Sequence, residues 1–293
     1  MFALAGCGPA ADSTSASATS SSAGGSGGSG GAGGAGAGGA TLTNELKVMT
    51  WNLEHFPKSA QAIGRIGEIL STVSPDVVGV QEIDDLDAWA TLDESLVDYR
   101  AISATSGDGF GRVGLLYHEE RVFVGDVETL FVNDSYAFPR PVLKAQIKLA
   151  SDPSKDILFG VIHLKAMLDD ESVERRRDAC EKLAEYVLSA EENGLEAEFV
   201  LAGDFNDKLL DPPQWNVFGP LLDPMTGTFL TQPLEEAGEF TYLPFESFID
   251  HVFVRGGALT SSTAQVVDAA ALVSSYESTV SDHVPVVATL TFE

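Results

Sequence analysis

The sequence predicts one α/β domain in which two β-sheets pack face to face with helices outside them. The first observation is that short apolar runs typical of strands alternate with helical patterns from Leu46 onward. The second is that no internal repeat and no linker interrupts this alternation after Leu46, so the many strands belong to a single domain.

The predicted strands are runs of β-branched and other apolar residues bounded by turn residues. In chain order they cover residues 46–53, 76–80, 112–118, 122–131, 141–149, 157–162, 199–202, 247–254 and 285–290. Between the first two, residues 60–73 carry isoleucines at helical spacing. A charged helix is predicted over residues 169–192, and Asn193-Gly194 is expected to end it.

Composition excludes several classes of protein. The chain has 293 residues and a formal net charge of −27, which argues against tight binding of long nucleic acid through a basic surface. It leaves open an enzyme that holds phosphate through metal ions, because a cation inverts the local charge. No apolar stretch approaches the ~18 residues of a membrane span. Two cysteines exclude a disulfide framework and a cysteine-rich zinc site.

The first 43 residues have a different composition from the rest. Residues 12–40 are nearly all Ser, Ala, Thr and Gly, which predicts a flexible linker and places the domain at residues 44–293. Before the linker, Leu4-Ala5-Gly6-Cys7 resembles the lipobox of bacterial lipoproteins, although only six residues precede Cys7 and they include no basic or full apolar region. A start codon assigned too far downstream would explain this, and a chance match is the alternative.

These observations predict an exported protein, either a cell-envelope lipoprotein tethered to the membrane through Cys7 or a secreted protein. If Cys7 is lipidated, Cys180 remains without a partner cysteine. Because Cys180 lies within the charged helix, we interpret it as a small buried apolar residue.

Polar side chains stand directly beside six of the apolar runs. If the strands belong to packed sheets, these ends can meet at one rim and form a cleft with five carboxylates. Such a cleft needs a divalent cation to offset the repulsion of like charges. The residues are Asn52, Glu54, Glu82, His163, Asp204, Asn206, Asp250, Asp282 and His283.

The residue types in this set also indicate the metal and the chemistry. Carboxylate and amide oxygens without thiolates favour Mg²⁺, with Mn²⁺ or Ca²⁺ as alternatives. A hard cation beside an Asp–His pair suits attack of water on a phosphate ester, since the metal polarises the phosphoryl oxygens and His transfers protons.

Six motifs then carry a resemblance to a known family. TWNLEHF, VVGVQE, VIHLKA, LAGDFND, FIDHVFV and VSDHVPV resemble, in order, the motifs of the endonuclease/exonuclease/phosphatase superfamily, which has the DNase-I-like fold. The resemblance spans about residues 45–293. It implies a four-layer α/β sandwich, with two mixed β-sheets face to face and helices on both outer faces, and metal-dependent cleavage of phosphate esters.

The resemblance assigns the metal ligands and the residues that act on water. Glu82 matches the family's principal metal ligand, with Asn52 beside it, and Asp282 is similar to a second carboxylate on the metal side. Asp204 and Asn206 match a pair in which Asp orients or deprotonates the attacking water and Asn holds the phosphate.

The resemblance also assigns two histidines. His283 matches the C-terminal catalytic His, and Asp250 matches the carboxylate that fixes its tautomer. His163 matches the His that hydrogen-bonds the scissile phosphate. In several family nucleases that His has its own carboxylate partner, which the sequence does not place here.

Weaker candidates surround this set. Arg140 and Lys165 are candidates for substrate binding, with a loop-bracing Arg and a solvated Lys as their alternatives. Glu54 is either a carboxylate behind the metal ligands or a surface residue. His251 should face away from Asp250, and we exclude it. Arg175, Arg176 and Arg177 are expected on a solvated helix face.

The fold does not choose the substrate. The first hypothesis is a nuclease that cleaves phosphodiester bonds of DNA or RNA, acting as a monomer. The second is a hydrolase of phospholipids or small phosphoesters such as inositol phosphates, which a lipid anchor would favour and the lack of a long apolar hairpin disfavours. The third is a non-catalytic binding module, against which stands the retention of Glu82, Asp204 and His283.

Overall fold

The computed structural model describes residues 44–104, 111–192 and 198–293, so the predictions for the linker, for Cys7 and for the helix end at Asn193-Gly194 lie outside these ranges. The domain forms one compact unit from Leu42 to Glu293. None of the helices in the described ranges has the length and hydropathy needed to span a bilayer.

Strands are the most abundant regular structure in the described ranges. In order they are β1 Glu45–Phe56, β2 Val77–Ile83, β3 Tyr99–Ser103, β4 Arg112–His118, β5 Val122–Leu130, β6 Val142–Leu149, β7 Asp156–His163, β8 Glu198–Asp204, β9 Thr228–Phe229, β10 Asp250–Arg255, β11 Leu259–Val266 and β12 Val286–Phe292.

The helices lie in the connections between strands. They are α1 Ala62–Val73, α2 Leu86–Ser95, α3 Asp170–Glu192, α4 Gln232–Glu236, α5 Ala269–Leu272 and α6 Tyr276–Thr279, with 3-10 turns at Gly219–Leu222 and Leu243–Phe245.

The strands form two mixed sheets of six. The first has the order β11-β12-β1-β2-β4-β3 and the second the order β5-β6-β7-β8-β10-β9. Each sheet contains one parallel pair near its centre, β1 with β2 and β7 with β8, while the other neighbours are antiparallel. The two parallel pairs therefore occupy corresponding positions in the two sheets.

Three apolar clusters hold four layers together. Side chains from both sheets form the central cluster, which includes Val48 and Phe159. Helices α1 and α2 cover the outer face of the first sheet through residues such as Ile66, and α3 covers the outer face of the second sheet through residues such as Leu183. The predicted four-layer α/β sandwich is confirmed.

Strict alternation along the strands decides which polar residues enter the space between the sheets. In β7, Phe159 and Val161 face the central cluster, so His163 at the end of the strand faces the same way. In β8, Val200 and Ala202 do so, and Asp204 follows. The polar ends of the strands are thus directed into the inter-sheet cleft.

Candidate active site

Four side chains meet at one rim of the sandwich, where they are almost fully buried. His163 and Asp204 are paired on the parallel strands β7 and β8, and Asp250 is paired with Asp204 on the antiparallel strand β10. Asn52 comes from β1 in the opposite sheet and reaches the same place. Their exposed fractions are 1–2%, so the fold concentrates polar groups in a site with little water.

Glu82 reaches the cleft through a break in the alternation of β2. Val78 and Val80 face the helices, and strict alternation would send Glu82 to the same side. Instead Glu82 has φ 64°, the pairing of β2 with β4 shifts between Val80 and Ile83, and Ile83 takes the helix-facing position. A left-handed residue in a bulge commonly re-aims a side chain near a functional site.

Asn52 connects the carboxylates of the two sheets. Its Nδ2 donates to Glu82 Oε1 at 3.2 Å and to Asp204 Oδ2 at 3.0 Å, while its Oδ1 accepts from the backbone N–H of Glu54 at 2.9 Å. The three residues Asn52, Glu82 and Asp204, which the sequence assigned to metal and water, are therefore in direct contact.

The segment that follows β8 is shaped by its backbone. A Cβ on Gly203 would lie 1.9 Å from the carbonyl oxygen of Ile162, so only glycine allows this close approach of β8 to β7. Asn206 has φ 55°, donates its N–H to Asp204 Oδ1 at 2.8 Å and places its Nδ2 3.3 Å from the carbonyl oxygen of Leu164. The turn thus holds Asn206 beside Asp204.

His283 and Asp250 form a buried pair. His283 Nδ1 donates to Asp250 Oδ2 at 2.8 Å, while Asp250 Oδ1 has no hydrogen-bond partner within the described ranges. Burial lowers the pKa of His283, but Asp250 outweighs it and the net effect raises the pKa to about 10. The Ser281 hydroxyl accepts from the His283 N–H at 2.9 Å and donates to the Asn52 carbonyl at 2.7 Å, which fixes the backbone of His283 to β1.

The charges of this cleft suit a divalent cation. Burial and the neighbouring carboxylate of Asp250 raise the pKa of Asp204 to about 7. Ligand atoms of Asp204, Asp250 and His283 lie within 4.8 Å of one another, which is a second possible donor group besides the predicted Asn52 and Glu82. A bound cation would favour the charged form of Asp204 and use the unpartnered oxygen of Asp250, so the residues present fit a metal.

His163 is held neutral beside this cluster. Its Nε2 lies 3.7 Å from both Glu82 Oε1 and Asp204 Oδ2. Burial, followed by the charges of Arg140 and His283, lowers its pKa well below the usual value. Within the described part of the chain, its buried Nδ1 has no hydrogen-bond partner, so the carboxylate partner seen in several family nucleases is missing there.

The carboxylate of Glu54 is hydrogen-bonded to the backbone of Asp282 on the His283 side of the cleft. Glu54 Oε2 accepts from the N–H of Asp282 at 2.6 Å and forms an ion pair with Lys58. Asp282 Oδ1 lies 3.9 Å from His283 Nε2, and burial is the main cause that raises the pKa of Asp282 to about 6. Glu54 is therefore a carboxylate behind the cleft rather than a free surface residue.

The two predicted substrate-binding cations differ in position. The NH1 of Arg140 donates to the carbonyl of Leu164 at 3.5 Å, the carbonyl that Asn206 also contacts, so its guanidinium lies beside the cleft. Burial lowers the pKa of Arg140, and the charges of Glu82 and Asp204 oppose this shift. Lys165 lies beyond the end of β7 and its Nζ donates to the carbonyl of Ala166 at 2.9 Å. Because the strand ends at His163, the alternation that directs His163 into the cleft does not extend to Lys165.

His251 is excluded from the cleft, as the alternation along β10 predicts. Its Nε2 donates to the Asp207 carbonyl at 3.0 Å, its Nδ1 accepts from the Thr231 hydroxyl at 3.0 Å, and Phe205 and Phe218 pack against its ring. Burial lowers its pKa to about 4. It is a structural histidine of the outer layer.

The expectation of a solvated face at Arg175–Arg177 is wrong for the central residue. Arg176 is 1% exposed, with Nε donating to Asp207 Oδ2 at 2.8 Å and NH1 donating to the carbonyls of Lys165 and Met167. Helical geometry turns Arg176 toward the sheet, because its position follows the apolar stripe that includes Cys180 and Leu183. Cys180 is fully buried, as predicted.

Sequence reasoning missed three residues at the rim. His55 Nδ1 donates to Asp84 Oδ2 at 2.8 Å, and its N–H donates to Glu82 Oε2 at 3.1 Å. The ring of Tyr242 lies 4.8 Å from that of His283. Asp84 lies two residues after Glu82, and His55 lies one residue after Glu54. Proximity to the motifs was therefore the signal that could have identified both.

Comparison with known proteins follows this geometry. The model of the "Endonuclease/Exonuclease/phosphatase family" matches residues 49–283, which contain all the cleft residues described above. The chain belongs to this family. Members use divalent metals to cleave phosphate esters, and the chain is accordingly a metal-dependent phosphoesterase.

Several solved structures share the family fold. TDP2 of D. rerio complexed with a single-strand DNA product is 17% identical, with a TM-score of 0.65 over 84% of this chain and 98% of that chain. An endonuclease/exonuclease/phosphatase from Bacteroides vulgatus is 18% identical, with a TM-score of 0.65 over 85% and 99%. The Bacteroides thetaiotaomicron mannosyl-6-phosphatase is 18% identical, with a TM-score of 0.60 over 84% and 100%. Curated protein sequences gave no significant match.

Proposed function

We propose that the chain is a Mg²⁺-dependent phosphodiesterase that cleaves nucleic acid. The observation that carries this proposal is the buried pair of His283 and Asp250, with its 2.8 Å hydrogen bond, beside the carboxylates of Asp204 and Glu82. An anionic diester needs positive charge around its phosphate and a base for the attacking water, and these residues offer both.

Each residue of the cleft has a defined part in this proposal. A metal held by Glu82, Asn52 and Asp282 would supply polarisation of the phosphoryl oxygens. Asp204 accepts the proton of the attacking water, because it is a buried carboxylate that Asn52 and the Asn206 N–H hold in place at the cleft. Asn206 holds a phosphate oxygen through its side-chain amide.

The two histidines act in different protonation states. Asp250 keeps His283 charged at neutral pH, so His283 Nε2 donates to the developing negative charge on the phosphate. His163 remains neutral and serves as a hydrogen-bond donor to another phosphate oxygen. Arg140 adds a second positive charge on the cleft wall.

Plasmid nicking tests the proposal. The purified chain with supercoiled plasmid should nick DNA with Mg²⁺ and stop with EDTA, and Glu82→Ala should abolish nicking. Glu68→Ala is the matched control, because Glu68 is an exposed residue of α1 paired with Arg65. Absence of nicking with both Mg²⁺ and Mn²⁺ contradicts the DNA substrate, and RNA, sphingomyelin and inositol phosphates are then assayed with the same protein.

A small phosphoester is the second candidate substrate, and one observation favours it. Three basic side chains are engaged in ion pairs, Lys58 with Glu54, Arg176 with Asp207 and Lys208 with Asp211, which leaves Arg140 as the main cation assigned to the cleft. A polynucleotide backbone contributes many phosphates that basic side chains usually neutralise. The similarity in fold to a mannosyl-6-phosphatase is consistent with such a substrate.

The proposal includes export and a tether. In it, a lipid on Cys7 holds a monomeric catalytic domain at the cell envelope, and residues 12–40 give it reach. In cells that make this protein, Cys7→Ser should move it from the membrane fraction to the soluble fraction. An unchanged distribution would contradict the tether and leave the enzymatic proposal unaffected.

A further inference from the structure

An aromatic side chain is exposed directly beside the candidate active site. Phe245 is 76% exposed, although burying a phenylalanine side chain is ordinarily favourable. Its ring lies 5.7 Å from that of Tyr242, with 34° between the planes. The ring of Tyr242 in turn lies 4.8 Å from that of His283, at 40°. Three rings thus form a continuous series from the buried pair to solvent.

The turn that presents Phe245 is ordered by its backbone. Tyr242 and Ser247 exchange two hydrogen bonds of 2.9 and 3.2 Å, and Glu246 completes the turn with φ 47°. The N–H of Leu243 donates to the carbonyl of Asp282 at 2.9 Å, which fastens the turn to the cleft. A turn whose backbone is held in this way loses little backbone entropy when a ligand covers it.

The charges around these rings indicate what part of a substrate would contact them. Burial raises the pKa of Tyr242, and the negative charges of Asp282, Glu54 and Asp204 raise it further. A second phosphate would be repelled here. An uncharged flat ring can stack on the aromatic faces without a charged partner.

We propose that Tyr242 and Phe245, the aromatic platform, bind the nucleobase attached to the phosphate in the cleft. This inference rests on the proposed nucleic-acid substrate and names a contact that supplies affinity for the base, in addition to the charges that hold the phosphate. Trp215 and Phe123 are also exposed, at 63% and 54%, but no ring contact among the described residues joins them to the cleft.

Two ligands that differ by one base test the platform. Thymidine 5′-monophosphate and 2-deoxyribose 5-phosphate share the phosphate and sugar, and binding of each to the full chain with Mg²⁺ is measured by titration calorimetry. Chromatography verifies that both ligands remain intact. Wild-type protein should bind the thymidine ligand roughly 5- to 150-fold more tightly, the range expected for base–aromatic stacking.

Variants at position 245 separate stacking from general apolar contact. Phe245→Leu should remove most of the preference for the thymidine ligand, while Phe245→Trp should retain it, because the tryptophan ring also stacks. Phe123→Leu, at an exposed phenylalanine on β5, should leave the preference unchanged. An unchanged preference in Phe245→Leu, or equal binding of the two ligands by wild-type protein, would overturn the proposal.

The outcome is separable from that of the proposed function. A preference that depends on Phe245 without plasmid nicking would contradict cleavage of DNA and support the platform. Nicking without a base preference would support the nuclease and overturn the platform.

Discussion

Asp204 and Asp250 are paired residues on the antiparallel strands β8 and β10, so two buried carboxylates stand side by side at the cleft. The repulsion between them, added to burial, raises the pKa of Asp204 to about 7, and the charge of His283 partly offsets it. The fold therefore maintains an arrangement that a divalent cation would stabilise.

Metal binding should stabilise the protein through Asp204. We expect 10 mM Mg²⁺ to raise the melting temperature of the EDTA-treated wild type, because a ligand at ~100 times its Kd adds about 2.7 kcal/mol. Asp204→Asn should lose at least half of this shift. Asp156→Asn, at the opposite end of the sheet, is the control in differential scanning calorimetry. Equal shifts in wild type and Asp204→Asn would contradict the idea that the cation relieves the repulsion between Asp204 and Asp250.

Asp250→Asn should lower kcat about 10²- to 10⁴-fold, since the amide cannot hold His283 in its charged form. Steady-state hydrolysis of the preferred substrate gives the measurement. His118→Gln is the control. His118 is a buried histidine at the end of β4, which pairs with the start of β2, far along the strand from Glu82. This variant should reduce kcat less than about threefold. A similar loss in both variants would indicate general destabilisation instead of a specific pair.

His251 predicts a loss of stability in acid. Burial lowers its folded pKa to about 4, below its unfolded value of ~6.5, so between these values the unfolded chain binds more protons. Stability from His251 is thus full above pH ~6.5 and falls as pH decreases toward 4. Between pH 7.5 and 5, wild type should lose up to about 2 kcal/mol more than His251→Gln in urea unfolding. A parallel pH dependence of the two proteins would refute this.

Arg176 and Arg177 are adjacent in sequence but should differ in their contribution to stability. Arg176→Met leaves Asp207 buried without its cation and frees two carbonyls, so we expect a loss of about 3–5 kcal/mol in the free energy of unfolding. Arg177→Met, which removes a surface pair with Glu174, should change it by less than about 1 kcal/mol. Chemical denaturation measures both, and equal losses would contradict the assigned burial.

Much of the fold and cleft could be predicted from the sequence because runs of apolar residues identify the buried strands. All the runs named as strands contain strand residues in the structure, although β10 begins at Asp250 rather than at residue 247. Strands β3, β9 and β11 and helices α2, α4, α5 and α6 were not predicted. The β11 sequence LTSSTAQV lies at a sheet edge and is polar, so it lacks the apolar pattern that identifies a buried strand.

Two features of the cleft depend on long-range geometry. The left-handed conformation of Glu82 changes which face of the sheet its side chain occupies, and no local pattern in VVGVQE predicts that conformation. The burial of Arg176 depends on the acceptor Asp207, which lies 31 residues away. Contacts of this kind form only when the second sheet and α3 come together.

Hydrolysis of bis-p-nitrophenyl phosphate by the purified chain tests metal-dependent phosphoester cleavage most directly. With Mg²⁺ or Mn²⁺ we expect release of p-nitrophenol that EDTA stops and added metal restores, and that Glu82→Gln abolishes while Glu68→Gln does not. Turnover that persists in EDTA, or that is equal in the two variants, would contradict a metal centre at Glu82.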